Sequence, residues 1–220
     1  RVQRFRDGFT KIPAMRELGK IWDVEPVKAR HLAQQAGYVL AAELRGCGVD
    51  FSFTPVLDMD YENSGVIGDR AFHRDPQAIS ELAHSLLQGL RQGGMQTVGK
   101  HFPGHGFVAA DSHLDIPIDE RDFVDIELAD LIPFQQMIHY GLTAVMPAHV
   151  IYPKVDARPA DGLLRGLHWQ MPVTSRARLA HMRGALHPVA LPKLHEQAVF
   201  LKALSEVASI GISNTELPLA

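Results

Sequence analysis

The chain has 220 residues, 46% of them hydrophobic and 21% charged, which is enough apolar material for one large domain or two small ones. Its 22 Lys and Arg stand against 25 Asp and Glu, so the formal net charge of -3 leaves no basic excess to bind a nucleic-acid backbone. The lone Cys47 can close no intramolecular disulfide and fits a reducing compartment. With no run of about 18 uninterrupted apolar residues, a transmembrane helix is not expected. Residues 1–7 carry neither an initiator Met nor an apolar signal core. The expectation is a soluble, cytoplasmic protein, clipped at its front, with neither nucleic acid nor membrane as a partner.

Three successive segments share one layout. In the first, 26–46 carries Leu32, Ala36, Val39, Leu40 and Leu44 at near-helical spacing and stops at Gly46. The β-branched and aromatic run 49–57 then predicts a buried strand. In the second, Asp75 followed by Pro76 reads as an N-cap with proline at the first helical position. The predicted helix runs through Leu82, Leu86, Leu87 and Leu90 to Gly93-Gly94, and 95–98 follows as a short strand leading into Gly99, Lys100 and His101. In the third, a helix over 126–140 stops at Gly141, and 142–146 is a strand.

Helix stops about 47 residues apart match long βα units, so the predicted class is α/β, of the (β/α)8-barrel kind or an open parallel sheet. Polar loops after each strand place Asp58, Asp60 and Glu62, then Lys100 and His101, then His149 and Lys154, on the edge where such folds gather function. Past residue 160 the rhythm breaks into helical stretches at 163–167, 176–184 and 194–208. The amphipathic 194–208 stripe suits core packing, an oligomer contact or cover for an open sheet edge. Three strands cannot close a barrel of eight. The predicted architecture is therefore an incomplete barrel over 1–160 and a helical segment over 161–220. Trp22, Trp169, Phe51, Phe53 and Phe72 read as packing residues.

The densest chemistry lies in 100–113, KHFPGHGFVAADSH, which holds one Lys, three His (His101, His105, His113) and Asp111. Gly104 and Gly106 permit a tight backbone turn there. Asp111 and His113 lie two apart, so the carboxylate can orient the imidazole, and a His so held can give a proton to a leaving oxygen and later take one from water.

The run KHFPGHG followed by DSH resembles the signature of family-three glycoside hydrolases, and more narrowly the bacterial β-N-acetylhexosaminidases that recycle peptidoglycan. RVQRFRDGFT at the start, FTPVLDM at 53–59 and IGDRAFHRDP at 67–76 resemble the same family, in the same order, and LRGLHWQMPVTSRARLAHMRG at 164–184 resembles the end of such a chain. The resemblance implies a TIM-barrel-like fold and release of terminal non-reducing N-acetylglucosamine from muropeptides, with retention of configuration and no metal or organic cofactor. It implies His113 as the acid/base and Asp111 as its partner, with Arg4, Arg70, Lys100 and His101 as sugar-binding residues. A His in that role departs from the carboxylate pair usual in retaining glycosidases.

Two family features have no counterpart in this sequence. The nucleophile of the family is an Asp in a Ser-Asp-Asp-Leu-type run, and no such run occurs; 158–160 passes straight into 161–164, as though several βα units had been left out. A front strand carrying a sugar-gripping Asp is equally missing. Asp58, Asp60, Asp115 and Asp119 are the carboxylates that could stand in for the nucleophile. Three readings follow: a glycosidase, a non-catalytic sugar-binding remnant, or a metal-dependent hydrolase built on His101, His105, Asp111, His113 and His149, although their spacing matches no tight zinc template.

Overall fold

A computed structural model describes residues 3, 5–109, 117–148 and 150–155. Arg4, Asp111, His113, Asp115, His149, Trp169 and the three helical stretches beyond 160 lie outside the described residues.

The described chain is α/β. Helices α1 (Met15–Trp22) and α2 (Pro26–Gly46) lead to strand β1 (Phe51–Ser52), a 3-10 turn (Gly68–Arg70) and helix α3 (Pro76–Gln92). Strand β2 (Gln96–Phe102), helices α4 (Phe123–Glu127) and α5 (Leu131–His139) and strand β3 (Ala144–Pro147) follow. The strands form a parallel sheet in the order β1-β2-β3, with Ser52 opposite Thr97 and Gly99 opposite Val145. Helices occupy both crossovers, as parallel pairing requires.

Helix α3 forms where its N-cap predicts: the Asp75 carboxylate accepts from the Gln77 N–H at 2.8 Å and Pro76 opens the helix. Its Ile79, Leu82, Ala83, Leu86, Leu87 and Leu90 are buried. Helix α2 faces it with Ala29, Ala33, Gly37 and Ala41, a stripe of small residues four apart that lets the two backbones approach closely. An added Cβ at Gly89 would stand 1.9 Å from the Gln34 carbonyl oxygen, and one at Gly37 would stand 2.2 Å from that of Leu86. The Leu-rich face of α3 and the aromatic side of α5, through Phe134 and Met137, share one core with Leu57, Phe102 and Leu142.

Three predicted elements differ in extent. The 49–57 strand is regular only at Phe51–Ser52, because Pro55 has no N–H to give to a ladder. The segment nevertheless keeps company with β2: Thr54 O accepts from Val98 N, Pro55 O from Lys100 N, and Leu57 N donates to Lys100 O at 2.6 Å. The helix expected over 126–140 is divided into α4 and α5, since Pro133 cannot donate to the carbonyl of residue 129 and its ring opposes an uninterrupted helix. Strand β2 is longer than expected. It runs through Lys100 and His101 to Phe102, which places those two side chains on the strand itself and not beyond it.

Gly89→Ala should lower stability by about 1–3 kcal/mol through overpacking against α2. Denaturant unfolding of the variant beside an exposed control such as Gln88→Ala measures it.

Candidate functional site

The site is built at the carboxyl ends of β1 and β2. Asp58 is 1% exposed and lies one residue beyond Leu57, the last position of the β1 extension to bond to β2. A buried carboxylate is tolerable only when its oxygens are met by donors. Here Oδ1 accepts from the backbone N–H groups of His101 (3.2 Å) and His105 (2.8 Å), while Oδ2 lies 2.6 Å from His101 Nδ1. Burial by itself would raise the Asp58 pKa; the His101 charge and these hydrogen bonds outweigh it and hold the carboxyl below its ordinary range. With Nδ1 donating to Asp58, His101 turns Nε2 toward other partners, and its side chain remains 18% exposed.

Lys100 precedes His101 on β2, and Arg70 ends the 3-10 turn that follows β1. Burial first and the Arg70 guanidinium second depress the Lys100 ammonium to a pKa of about 8, with Asp58 opposing both. Arg70 and Lys100 line a cavity of about 500 Å³ whose walls, including Phe5, Phe9, Leu40 and Phe53, are largely apolar. The structure thus brings together Arg70, Lys100 and His101, three of the residues singled out by the sequence. Arg4, Asp111 and His113 lie outside the described residues.

His105 is 2% exposed, its ring edge-on to that of His101 at 5.8 Å, and among the described residues neither of its ring nitrogens has a hydrogen-bond partner. Burial lowers its pKa, with Asp58 opposing and His101 and Arg70 adding to the effect. Gly106 closes this turn against Met59, whose carbonyl oxygen a Cβ would meet at 1.9 Å.

A second polar cluster braces the loop after β2. Arg121 is held by Asp119 through Nε and Nη2 (3.0 and 2.7 Å) and by Asp130 through Nη1 (2.8 Å), and its guanidinium lies 4.1 Å over the Phe107 ring. The Tyr61 hydroxyl donates to Asp130 Oδ2 at 2.9 Å. Burial raises the Asp130 pKa against the lowering effect of Arg121. Asp130 in turn packs so tightly on Gly104, at φ +152°, that a Cβ there would meet its Oδ1 at 2.6 Å.

These contacts decide which carboxylates are free to react. Asp58 is saturated and buried. Asp60 is paired with Arg16 and accepts from Glu62 N, and Asp119 is 0% exposed and clamped by Arg121. None of the three presents an open oxygen suited to attack on an anomeric carbon. Sequence reasoning weighed Asp58 and Asp119 only as substitute nucleophiles and passed over Arg121 and Asp130. The available signal for Asp58 was its place one residue past an apolar strand, which forecasts burial and therefore a partner. Among the described residues no group of three His, Cys, Asp or Glu is arranged to hold a metal ion.

A buried Asp-His pair beside a Lys and an Arg therefore stands at the carboxyl edge of a parallel α/β sheet. The model of the glycosyl hydrolase family 3 N-terminal domain matches residues 1–167, and the chain belongs to that family. A beta-hexosaminidase of Nitrosospira multiformis is 50% identical over 280 residues, covering 100% of this chain and 80% of the relative. The crystal structure of native NagZ from Neisseria gonorrhoeae superposes with a TM-score of 0.69 at 57% identity, covering 72% of this chain and 46% of that one. The same NagZ solved in complex with N-trifluoroacetyl-D-glucosamine gives the same TM-score, 0.69, and identity, 57%. The chain spans about half the length of these solved structures.

Two outcomes test the electrostatics. Arg70→Met removes a neighbouring cation, so the Lys100 pKa should rise from about 8 toward its ordinary 10.5; a lysine 13Cε NMR titration reads it directly. A folded-state pKa held below the unfolded value contributes stability that is present above the unfolded value and lost as pH falls through the folded one. Asp58→Asn should therefore destabilise the protein near neutrality and flatten the loss of stability below about pH 4. Chemical unfolding of wild type and variant across pH 2–7 checks both parts.

Proposed function

We propose that this chain carries the sugar-binding face of a β-N-acetylhexosaminidase barrel and takes the terminal non-reducing N-acetylglucosamine of peptidoglycan fragments. The supporting observation is the convergence of Arg70, Lys100 and the Asp58-anchored His101 at the strand ends, in a chain 57% identical to a NagZ that has been solved with an N-acyl glucosamine. Arg and Lys donate to sugar hydroxyls and to the acetamido oxygen, while His101, with Nδ1 held on Asp58, turns Nε2 toward the sugar. Arg4 joins them from the RVQR run.

In the reaction assigned to the family, His113 is the acid/base and Asp111 its orienting partner. The imidazolium gives its proton to the glycosidic oxygen as the bond to the anomeric carbon breaks. The neutral imidazole then takes a proton from the water that hydrolyses the glycosyl intermediate, so configuration is retained overall. The covalent intermediate requires a carboxylate nucleophile, and no Ser-Asp-Asp-Leu-type run is present in this sequence. The Nitrosospira alignment extends over 280 residues against the 220 of this chain, so the relative contains residues with no counterpart here. That supports an incomplete (β/α)8 barrel over 1–160, with units left out before the 161–220 helical segment. The activity that follows is sugar binding without turnover by this chain, in a cytoplasmic, cell-wall-recycling setting and with no cofactor.

Isothermal titration with N-acetylglucosamine, run beside a chromogenic β-N-acetylglucosaminide assay, tests the proposal. Wild type should bind the sugar without releasing the chromophore. Arg70→Met and Lys100→Met should each weaken binding about tenfold or more, the loss of one charge-assisted hydrogen bond. Absence of binding, or affinity indifferent to both substitutions, would overturn the sugar-site assignment.

A further inference from the structure

Asp58 and Arg70 sit on one long excursion between β1 and α3, and something must hold the two ends of that excursion in a fixed relation. Helix α1 does so through one side chain. Arg16 pairs through Nη1 with Asp60 Oδ2, two residues from Asp58, and donates through Nη2 to the Gly68 carbonyl at 3.1 Å, two residues from Arg70. The contact is half-buried, with the Arg16 side chain 26% and that of Asp60 10% exposed.

Both anchors are themselves built into the local backbone. Asp60 Oδ1 accepts from Glu62 N at 2.9 Å and its own N–H donates to His73 O at 3.0 Å. Gly68, at φ +46°, donates to Ser64 O and accepts from Ala71 N, so its carbonyl direction sets the turn that ends in Arg70. Helix α1 is in turn seated on the far end of the excursion. A Cβ at Gly19 would stand 1.9 Å from the Phe72 carbonyl oxygen, and His73 Nε2 lies 3.0 Å from Asp23 Oδ1 at the end of α1.

We infer that Arg16 is a positioning residue: by bridging Asp60 and Gly68 it sets the Arg70 guanidinium opposite the Lys100–His101 edge, and so tunes sugar affinity without touching the sugar. The inference rests on the sugar-site reading above. The planar guanidinium serves the two acceptors from two separate nitrogens, Nη1 and Nη2. A lysine offers a single point charge and would keep one contact.

A double-mutant cycle on N-acetylglucosamine affinity, with Arg16→Met and Arg70→Met, tests it. Arg16→Met should weaken binding about tenfold, Arg16→Lys less, and the double variant should bind no more weakly than Arg70→Met alone. Arg45→Met, which breaks the exposed Arg45–Asp50 pair on α2, should leave affinity unchanged and serves as the control for a general loss of stability. Multiplicative losses in the cycle, or wild-type affinity in Arg16→Met, would overturn the inference. The Arg70 Nε–H resonance gives a second readout that needs no sugar: it should shift in Arg16→Met and Arg16→Lys and stay in place in Arg45→Met. If wild type fails to bind the sugar, the site assignment falls while this resonance still decides the role of Arg16. An unmoved Arg70 signal in a folded Arg16 variant refutes that role outright.

Discussion

A carboxylate taken out of water at the end of a strand has to be met by donors on every side, and Asp58 meets them only if the chain after β2 turns back over it. The His101 and His105 backbone N–H groups and the His101 ring supply those donors. Removing any one would leave part of a buried charge uncompensated, at a cost of about 3–5 kcal/mol when a buried pair is broken outright. One side chain thereby dictates the path of KHFPGHG, the orientation of the His101 ring and the spacing between the ends of β1 and β2. Gly106 follows from the same constraint, since only a residue without a Cβ lets the returning chain lie against Met59.

Around that pair the charges divide into two groups with different work. Carboxylates are turned inward and used as struts: Asp58 under His101, Asp60 under Arg16, Asp119 and Asp130 around Arg121. Two cations, Arg70 and Lys100, line the cavity, close enough for the guanidinium to depress the lysine pKa.

Much of this was legible in the residues alone. Leucine periodicity and the Asp75-Pro76 cap foretold α3, the spacing of 26–46 foretold α2, and the parallel α/β class followed from their alternation with apolar strands. Other features depended on partners far along the chain. Helix α1 has only eight residues, too few to hold as a helix alone, and it is kept in place by packing on Phe72. The break between α4 and α5 was readable in Pro133, but the inward turn of Asp130 required Arg121 and Tyr61 to receive it.

Local chemistry, carried by the order of residues, determined which segments coil, which extend and where the polar loops follow the strands. Those properties depend on neighbours within a turn or two, through backbone hydrogen bonding, side-chain period and capping. The tertiary structure alone decided the use of each carboxylate, because a buried charge takes its role from whichever donor the fold brings to it. Asp58 and His101 are 43 positions apart, and Arg16 and Gly68 are 52 apart, separations at which no local pattern in a single sequence announces a contact.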